Sequence, residues 1–160
     1  MNVIFFGNSE YVIPIIKYLK DSFNLKLVIT TEKETNEAVI SYCLENKIDY
    51  LSVNSVSSPE VKDKITDINP AFAILANFRF ILPKEILKIF PKGIINIHPS
   101  LLPKYRGATP GQTAILKDDK TTGVTIIKLD EEIDHGKIIS QKKESILTKD
   151  TAKSLYIRLF

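Results

Sequence analysis

Short apolar runs alternate with amphipathic stretches along the first hundred residues of the chain. Val3 to Phe6 form an apolar run that ends at Gly7, and apolar residues then recur every three or four positions up to Leu19, a spacing typical of a helix. The same alternation predicts further strands at 25–30, 48–53, 71–76 and 93–98, with helices at 36–46, 59–66 and 84–89. Strands connected through helices favour parallel pairing by right-handed crossovers. The sequence therefore predicts an α/β, doubly wound fold with a mainly parallel sheet.

Two residues define the expected start of the first helix. Ser9 is a residue type that can cap a helix N-terminus through its side-chain oxygen. Pro14 follows within the same amphipathic stretch, where it should kink the helix or confine its regular part to the residues after it.

The pattern changes after His98. A long loop is followed by a predicted helix at 111–116 and by strands at 123–128 and 137–142, which could pair as antiparallel neighbours or extend the sheet in a mixed fashion. Asp150 or Thr151 can cap a last helix, which reaches Phe160 without a glycine, a proline or a polar tail. We expect residues 1–160 to form one catalytic domain that lacks a C-terminal extension.

Composition places the chain among ordinary globular domains. It has 160 residues, of which 44% are hydrophobic and 26% charged, and Cys43 is the only cysteine, so an intramolecular disulfide is impossible. The single thiol fits a reducing compartment, and neither a signal peptide nor an apolar run of membrane-spanning length is visible. We therefore expect a cytoplasmic protein without a membrane partner. The net charge of +3 is interspersed, which permits a nucleic-acid partner without indicating one.

Several common chemistries are disfavoured by the residues present. The turn after the first strand has one glycine, Gly7, where a dinucleotide fingerprint needs three, and no Walker lysine follows it. His98, His135 and Cys43 are too widely spread to predict a metal site, and Ser100 lies on no nucleophile elbow. Nicotinamide, flavin, P-loop, metal and serine-hydrolase chemistry are therefore poor interpretations.

Polar residues that are suited to catalysis or ligand binding occur in two places. In a strand of period two, Asn96 and His98 project from one face, and Pro99 then ends the strand at its carboxyl end, where open α/β sheets bind ligands. Later in the chain, residues 130–134 carry four carboxylates, and their mutual repulsion would raise the pKa of a buried member and suit it to accept a proton. A hydrogen-bonded pair at a sheet edge and a solvated acidic turn remain the alternatives.

Three segments of the chain are informative together: Asn96-Ile97-His98-Pro99-Ser100-Leu101-Leu102-Pro103-Lys104-Tyr105-Arg106-Gly107, Thr122-Gly123-Val124-Thr125-Ile126 and Asp134-His135-Gly136. This set of segments resembles the formyltransferases that use 10-formyltetrahydrofolate. The resemblance covers essentially the whole chain and implies a Rossmann-like formyltransferase fold. It places the family's catalytic residues on Asn96, His98 and Asp134. Asn96 and a protonated His98 would donate hydrogen bonds to the oxygen that becomes negative during formyl transfer, while Asp134 would orient His98 and relay a proton.

The resemblance also implies a folate site and no metal. It places 10-formyltetrahydrofolate, as co-substrate, against main chain and apolar side chains at residues 80–83, 100–103 and 129–133. The implied contacts are Phe80, Ile81, Leu82, Pro83, Ser100, Leu101, Leu102, Pro103, Leu129 and Ile133. A flat pterin between apolar walls suits these residue types. His135 is expected to point away from Asp134 and to take no part in catalysis.

The acceptor amine is indicated by a second part of the resemblance. Arg106-Gly107-Ala108-Thr109-Pro110-Gly111-Gln112 is most similar to the family members that act on tRNA, which implies the amino group of methionyl-tRNA, on initiator tRNA, as acceptor. The connection at residues 31–35 is shorter than the basic insertion that those members usually carry. A sugar nucleotide or glycinamide ribonucleotide as acceptor, hydrolysis of formyl-folate, and a catalytically idle module that binds folate or a partner are the alternatives.

Overall fold

The structure is a computed structural model of the chain and describes residues 1–32 and 36–160. The short connection noted at residues 31–35 therefore lies largely outside the described residues. The chain divides into two compact units, Met1–Ile95 and Asn96–Phe160. None of the helices in the described ranges is long and apolar enough to cross a lipid bilayer.

The first unit alternates strands and helices as predicted. Its elements are β1 (Asn2–Gly7), α1 (Ile13–Ser22), β2 (Asn24–Thr31), α2 (Glu37–Glu45), β3 (Tyr50–Val53), α3 (Pro59–Ile68), β4 (Phe72–Ala76) and α4 (Lys84–Leu87). β1 pairs in parallel with both β2 and β4, and β3 pairs in parallel with β2. The chain thus proceeds outward from β1 to β3 and then returns to the opposite side of β1, which is the reversal that defines a doubly wound fold. The α/β prediction is confirmed.

The core of the first unit is centred on β1. Val3, Ile4, Phe5 and Phe6 have no exposed surface, as expected for a parallel strand that is covered on both faces. Helices α1, α2 and α3 each turn an apolar stripe inward, with these fully buried side chains on them: Ile16, Val39, Cys43 and Ile65. Because each helix lies between two strands in sequence, burial of these stripes fixes the crossovers that make the pairing parallel.

The start of α1 differs from the prediction. Ser9 precedes a 3-10 turn at Glu10–Val12, and α1 begins only at Ile13. The Ser9 hydroxyl makes no capping bond; it accepts a hydrogen bond of 2.8 Å from Asn77 Nδ2 instead, and Ser9 has a φ of 72°. The predicted cap was therefore wrong, because a distant partner uses the oxygen. Pro14 lies in the first turn of α1, so the regular helix does follow it.

The second unit contains an antiparallel strand pair and two helices. β5 (Ile94–His98) begins in the first unit and ends in the second, followed there by α5 (Pro110–Leu116), β6 (Thr121–Lys128), β7 (Lys137–Ser145) and α6 (Ala152–Leu159). β6 and β7 are antiparallel, with Lys128 opposite Lys137 at the turn. The antiparallel pairing that the sequence offered for these two strands is confirmed, and the strands of the chain are mixed in direction.

Helix α6 is held in place by its first and last turns. Thr151 and Ser154 form a reciprocal capping box, so Thr151 is the cap of the two residues, Asp150 and Thr151, that the sequence offered. The Tyr156 hydroxyl accepts a hydrogen bond from the Gly111 backbone N–H at 3.1 Å, and a Cβ on Gly111 would lie 2.9 Å from the Tyr156 ring. The capping box therefore defines where α6 begins, and the close approach at Gly111 fixes α6 against α5.

Candidate active site

Two of the predicted site residues lie side by side on β5. Asn96 and His98 are 6% and 4% exposed, and Ile94 is buried on the same face, whereas Ile95 and Ile97 are half-buried on the other. The period-two alternation therefore places both polar side chains inward, as predicted. A buried amide and a buried imidazole need hydrogen-bond partners, so their contacts determine what the site can do.

Asp134 lies in the connection between β6 and β7. It has a φ of 47°, a left-handed conformation that aspartate tolerates better than most residues. The connection is tightly closed at Gly136, where an added Cβ would lie 1.9 Å from the carbonyl oxygen of Lys128. This close approach requires glycine and fixes the path of the backbone two residues after Asp134.

The three side chains meet at the Asp134 carboxylate. Asn96 Nδ2 donates to Asp134 Oδ1 at 3.0 Å, and His98 Nδ1 lies 3.4 Å from the same oxygen. The other oxygen, Oδ2, accepts from the backbone N–H of Gly107 at 2.9 Å. The Asp134 side chain is 11% exposed, so these contacts form where water screens charge only weakly.

The His98 ring is held from both sides. Its Nε2 lies 3.0 Å from the backbone carbonyl oxygen of Tyr105. Because a carbonyl oxygen only accepts, Nε2 carries the hydrogen of that contact, while Nδ1 faces the Asp134 carboxylate. Both ring nitrogens therefore face protein oxygens, which fixes the orientation of the imidazole. Asn96 uses one Nδ2 hydrogen on Asp134 and has a second one to donate.

The loop after β5 carries four of the residues expected at the folate site. Ser100 is fully buried and its hydroxyl donates to the Lys104 carbonyl oxygen at 2.6 Å, so it closes the loop on itself. Leu101 is half-buried, Leu102 is buried and Pro103 is exposed. The side chains of Ser100 and Leu102 thus stabilise the loop, and Leu101 and Pro103 retain accessible surface.

This loop is tied to the β6–β7 pair through one buried threonine. The Thr125 hydroxyl donates to the Ser100 carbonyl oxygen at 2.6 Å and accepts from the Leu102 backbone N–H at 3.0 Å. Gln141 Nε2 donates to the Leu102 carbonyl oxygen at 2.8 Å. The backbone of residues 100–102 is therefore fixed by side chains of both strands, which gives the site a rigid wall.

The other residues expected at the folate site differ in exposure. In the first unit, Leu82 is buried, Phe80 and Pro83 are half-buried, and Ile81 is 65% exposed. In the second unit, Leu129 is half-buried and Ile133, the residue before Asp134, is 56% exposed. Apolar side chains left in contact with water on either unit are suited to cover a flat ring.

The acidic turn contains a second histidine–carboxylate pair. His135 Nδ1 lies 2.8 Å from Asp130 Oδ2, and the Glu132 backbone N–H donates to Asp130 Oδ1 at 3.0 Å. The hydrogen bond from His135 holds the pKa of Asp130 below its ordinary value, and the Asp130 carboxylate raises the pKa of His135. Asp130 is 43% exposed, so it is not the buried member for which the sequence predicted a raised pKa. His135 contacts Asp130 and is half exposed.

The residues that sequence reasoning missed act through their backbones. The Tyr105 carbonyl and the Gly107 N–H each hold one member of the trio, and Gly107 has a φ of 102°. Backbone groups have no residue-type signature. The available signal was the glycine itself, since a glycine in a polar loop often marks a left-handed turn.

Similarity to known proteins extends over the whole chain. Residues 2–160 match the family described as formyl transferase. A methionyl-tRNA formyltransferase from Buchnera aphidicola is 33% identical over 99% of this chain and 54% of its own length, and one from Thermodesulfovibrio yellowstonii is 36% identical over 98% of this chain and 54% of its own length. The chain thus spans about half the length of these curated relatives.

A solved structure has the same fold. The phosphoribosylglycinamide formyltransferase from Bacillus halodurans superimposes with a TM-score of 0.83 at 27% identity, covering 99% of this chain and 87% of that one. The match includes the strand, loop and turn that carry Asn96, His98 and Asp134, because it leaves almost no residue of this chain uncovered. The chain belongs to the formyl transferase family.

Proposed function

We propose that residues 1–160 form a catalytic domain that transfers a formyl group from 10-formyltetrahydrofolate to the amino group of methionyl-tRNA. The observation that carries this proposal is the convergence of Asn96 and His98 on the Asp134 carboxylate in a nearly buried site. Family membership and relatives named methionyl-tRNA formyltransferase support the reaction and the acceptor.

Each member of the trio has a role that follows from its contacts. As the acceptor amine adds to the formyl carbon, the formyl oxygen gains negative charge, and the second Nδ2 hydrogen of Asn96 is available to donate to it. His98 stays fixed between Asp134 and the Tyr105 carbonyl and supplies positive charge close by. Asp134 is the carboxylate that receives the amine proton, directly or through one water. The bond between the formyl carbon and N10 of the folate then breaks, N10 takes up a proton, and tetrahydrofolate leaves.

The residues proposed for the folate site fit a flat aromatic ligand. 10-Formyltetrahydrofolate supplies the formyl group when bound. Ile81 and Ile133 offer exposed apolar surface, and the backbone of residues 100–102 is rigidly tied. Exposed apolar side chains and fixed backbone groups are both features of sites that bind a planar ring through stacking and main-chain hydrogen bonds. The proposed contacts remain Phe80, Ile81, Leu82, Pro83, Ser100, Leu101, Leu102, Pro103, Leu129 and Ile133.

The test is formyl transfer to a panel of amines. The chain is incubated with 10-formyltetrahydrofolate and, in separate reactions, charged initiator tRNA, an aminosugar nucleotide and glycinamide ribonucleotide. Formylmethionyl-tRNA is the expected product, detected as formylmethionine after the ester bond to the tRNA is hydrolysed. Transfer to either of the other acceptors alone would replace the proposed acceptor, and release of formate without transfer would indicate hydrolysis.

Two histidine variants form a matched pair for the same assay. His98→Ala should abolish most of the activity because it removes the ring that Asp134 and Tyr105 hold. His135→Ala should retain most of it, since His135 contacts Asp130 rather than the trio. Equal losses in the two variants would overturn the assignment of His98.

A further inference from the structure

One short turn holds two members of the proposed trio. The turn at residues 105–107, here called the clamp turn, directs the Tyr105 carbonyl to His98 Nε2 at 3.0 Å and the Gly107 N–H to Asp134 Oδ2 at 2.9 Å. Tyr105 has a φ of 57°, an uncommon conformation for a bulky residue, and Gly107 has a φ of 102°. Both contacts depend on these backbone angles, so whatever fixes the clamp turn also fixes His98 and Asp134.

The Tyr105 side chain provides the anchor. Its hydroxyl donates to Asp119 Oδ2 at 2.7 Å, and the Asp119 side chain is 19% exposed. Asp119 is itself fixed at the end of α5, because its backbone N–H donates to the Ala114 carbonyl oxygen at 3.0 Å. A hydrogen bond to a carboxylate is stronger than one between neutral groups, so this contact can hold Tyr105 in its left-handed conformation.

The two lysines next to this hydrogen bond contribute less to holding Tyr105 than the hydrogen bond itself does. Lys104 Nζ pairs with Asp119 at 2.8 Å and lies 4.9 Å from the centroid of the Tyr105 ring, while Lys117 Nζ lies 5.7 Å from that centroid. The Lys104 side chain is 54% exposed, and exposed ion pairs of this kind contribute little. The hydroxyl–carboxylate bond between Tyr105 and Asp119 is therefore the contact to test.

The part of the loop before the clamp turn has its own supports. Ser100 Oγ donates to the Lys104 carbonyl oxygen at 2.6 Å, and Thr125 fixes the backbone of Ser100 and Leu102. None of these contacts involves Tyr105 or Asp119. Loss of the anchor should thus release residues 105–107 and leave the preceding loop in place.

We infer that Tyr105 and Asp119 are positioning residues of the active site: their side-chain hydrogen bond holds the clamp turn, which in turn orients His98 and Asp134. This inference rests on the proposed function for its catalytic consequence. Without the hydroxyl, the backbone of Tyr105 can relax toward commoner angles, which rotates its carbonyl away from His98 Nε2. The imidazole then loses one of its two oxygen partners.

The imidazole nitrogens report this change directly by NMR. The chain has two histidines, and a His135→Gln variant assigns the signals of His98 by elimination. In Tyr105→Phe and Asp119→Ala, we expect the His98 nitrogen pattern to shift and its Nε2 hydrogen to exchange with water about tenfold faster or more. Asp119→Asn should keep the pattern, because its amide oxygen can still accept from the hydroxyl. The control Asp118→Asn, at a side chain that is 86% exposed, should leave it unchanged.

Three NMR outcomes would overturn the inference. An unchanged His98 pattern in Tyr105→Phe would show that the hydroxyl does not set the ring. An Asp119→Asn variant that matches Asp119→Ala would assign the effect to charge rather than to the hydroxyl bond. A shift in Asp118→Asn as large as in Asp119→Ala would make the effect nonspecific. Thermal unfolding is measured first, and Asp119→Ala carries the test if Tyr105→Phe does not fold.

Activity measurements form the second part of the test. They distinguish a failure of the positioning role from a failure of the proposed function. If the unmodified chain transfers the formyl group, Tyr105→Phe should lower kcat by about tenfold to a hundredfold while KM for the formyl donor stays within about twofold. A raised KM with unchanged kcat would make Tyr105 a binding residue and overturn the positioning role. If the unmodified chain transfers nothing to any acceptor, the proposed function fails, and the His98 signals still decide whether the anchor sets the ring.

Discussion

Replacing Asp134 by asparagine is the most informative perturbation of the trio, because the two side chains have the same shape. Asp134 Oδ1 accepts from Asn96 Nδ2 and faces His98 Nδ1, and Oδ2 accepts from the Gly107 N–H. Asn96 Nδ2 and the Gly107 N–H both offer hydrogens to this carboxylate. An amide has only one oxygen, so its NH₂ group must face either Gly107 or the Asn96–His98 side.

The expected loss of stability in Asp134→Asn follows from this mismatch between donors and acceptors. A buried donor left without an acceptor costs about 1–3 kcal/mol, and the Asp134→Asn change creates at least one such donor unless Asn96 reverses its amide. For a chain of this length, 1 kcal/mol corresponds to about 2–4 °C, so the unfolding temperature should fall by roughly 2–12 °C. Reversal of Asn96 would lower this cost, but it would also remove the N–H that we assign to the formyl oxygen.

The fall in kcat should therefore be large whether or not Asn96 reverses its amide. A lost proton acceptor typically costs about 10²–10⁴ in rate, so kcat of Asp134→Asn should fall by that factor. The assay is formyl transfer to the acceptor that the unmodified chain uses, together with thermal unfolding, and Asp118→Asn is the matched control at an exposed carboxylate. An Asp134→Asn variant that unfolds and turns over like Asp118→Asn would refute both the contact scheme and the role of Asp134.

Three further outcomes are expected at neighbouring positions. Asn96→Ala should lower kcat by about 10²–10³, the usual cost of one oxyanion donor, and an unchanged kcat would transfer that role to another group. Gly136→Ala should destabilise the chain by about 1–3 kcal/mol in a denaturant titration, because its Cβ would lie 1.9 Å from the Lys128 carbonyl oxygen; a neutral result would contradict this close approach. The hydrogen bond to Asp130 raises the pKa of His135, so its stabilisation is fully present below the ordinary pKa of about 6.5 and is lost as pH rises through the higher folded value. Asp130→Asn should accordingly lower the pKa of His135 in an NMR titration, whereas an unchanged pKa would remove Asp130 as the cause.

Local patterns in the sequence were sufficient for most of the strands, for the helix cap at Thr151 and for the pairing of Asn96 with His98 on one face. These features depend on residues that are close in sequence, such as the alternation along β5 and the capping box of α6. The predicted cap at Ser9 failed because Asn77, far along the chain, takes its hydroxyl. Contacts between distant residues override local preference in such cases.

Local sequence pattern was also insufficient to single out Asp134 among the carboxylates of the acidic run. Residues 130–134 contain four carboxylates, and nothing in their order indicates which one turns inward. In the structure, Asp130 pairs with His135, whereas Asp134 takes a left-handed φ of 47° and reaches Asn96. Only the resemblance to a family singled out Asp134 in advance, because the decisive contact spans 38 residues.

The contacts of His98 also bear on the roles proposed for the trio, in a way that the motif alone does not reveal. The sequence suggested that Asn96 and His98 would both donate to the formyl oxygen, yet the two ring nitrogens already face Asp134 at 3.4 Å and the Tyr105 carbonyl at 3.0 Å. Under the proposed function, a protonated His98 acts on the reaction through its charge rather than by direct donation, in a site where its ring is 4% exposed. Direct donation by His98 would require the Tyr105 carbonyl to withdraw. The hydrogen bond between Tyr105 and Asp119 opposes that movement, so under the proposed function it leaves Asn96 as the donor to the formyl oxygen.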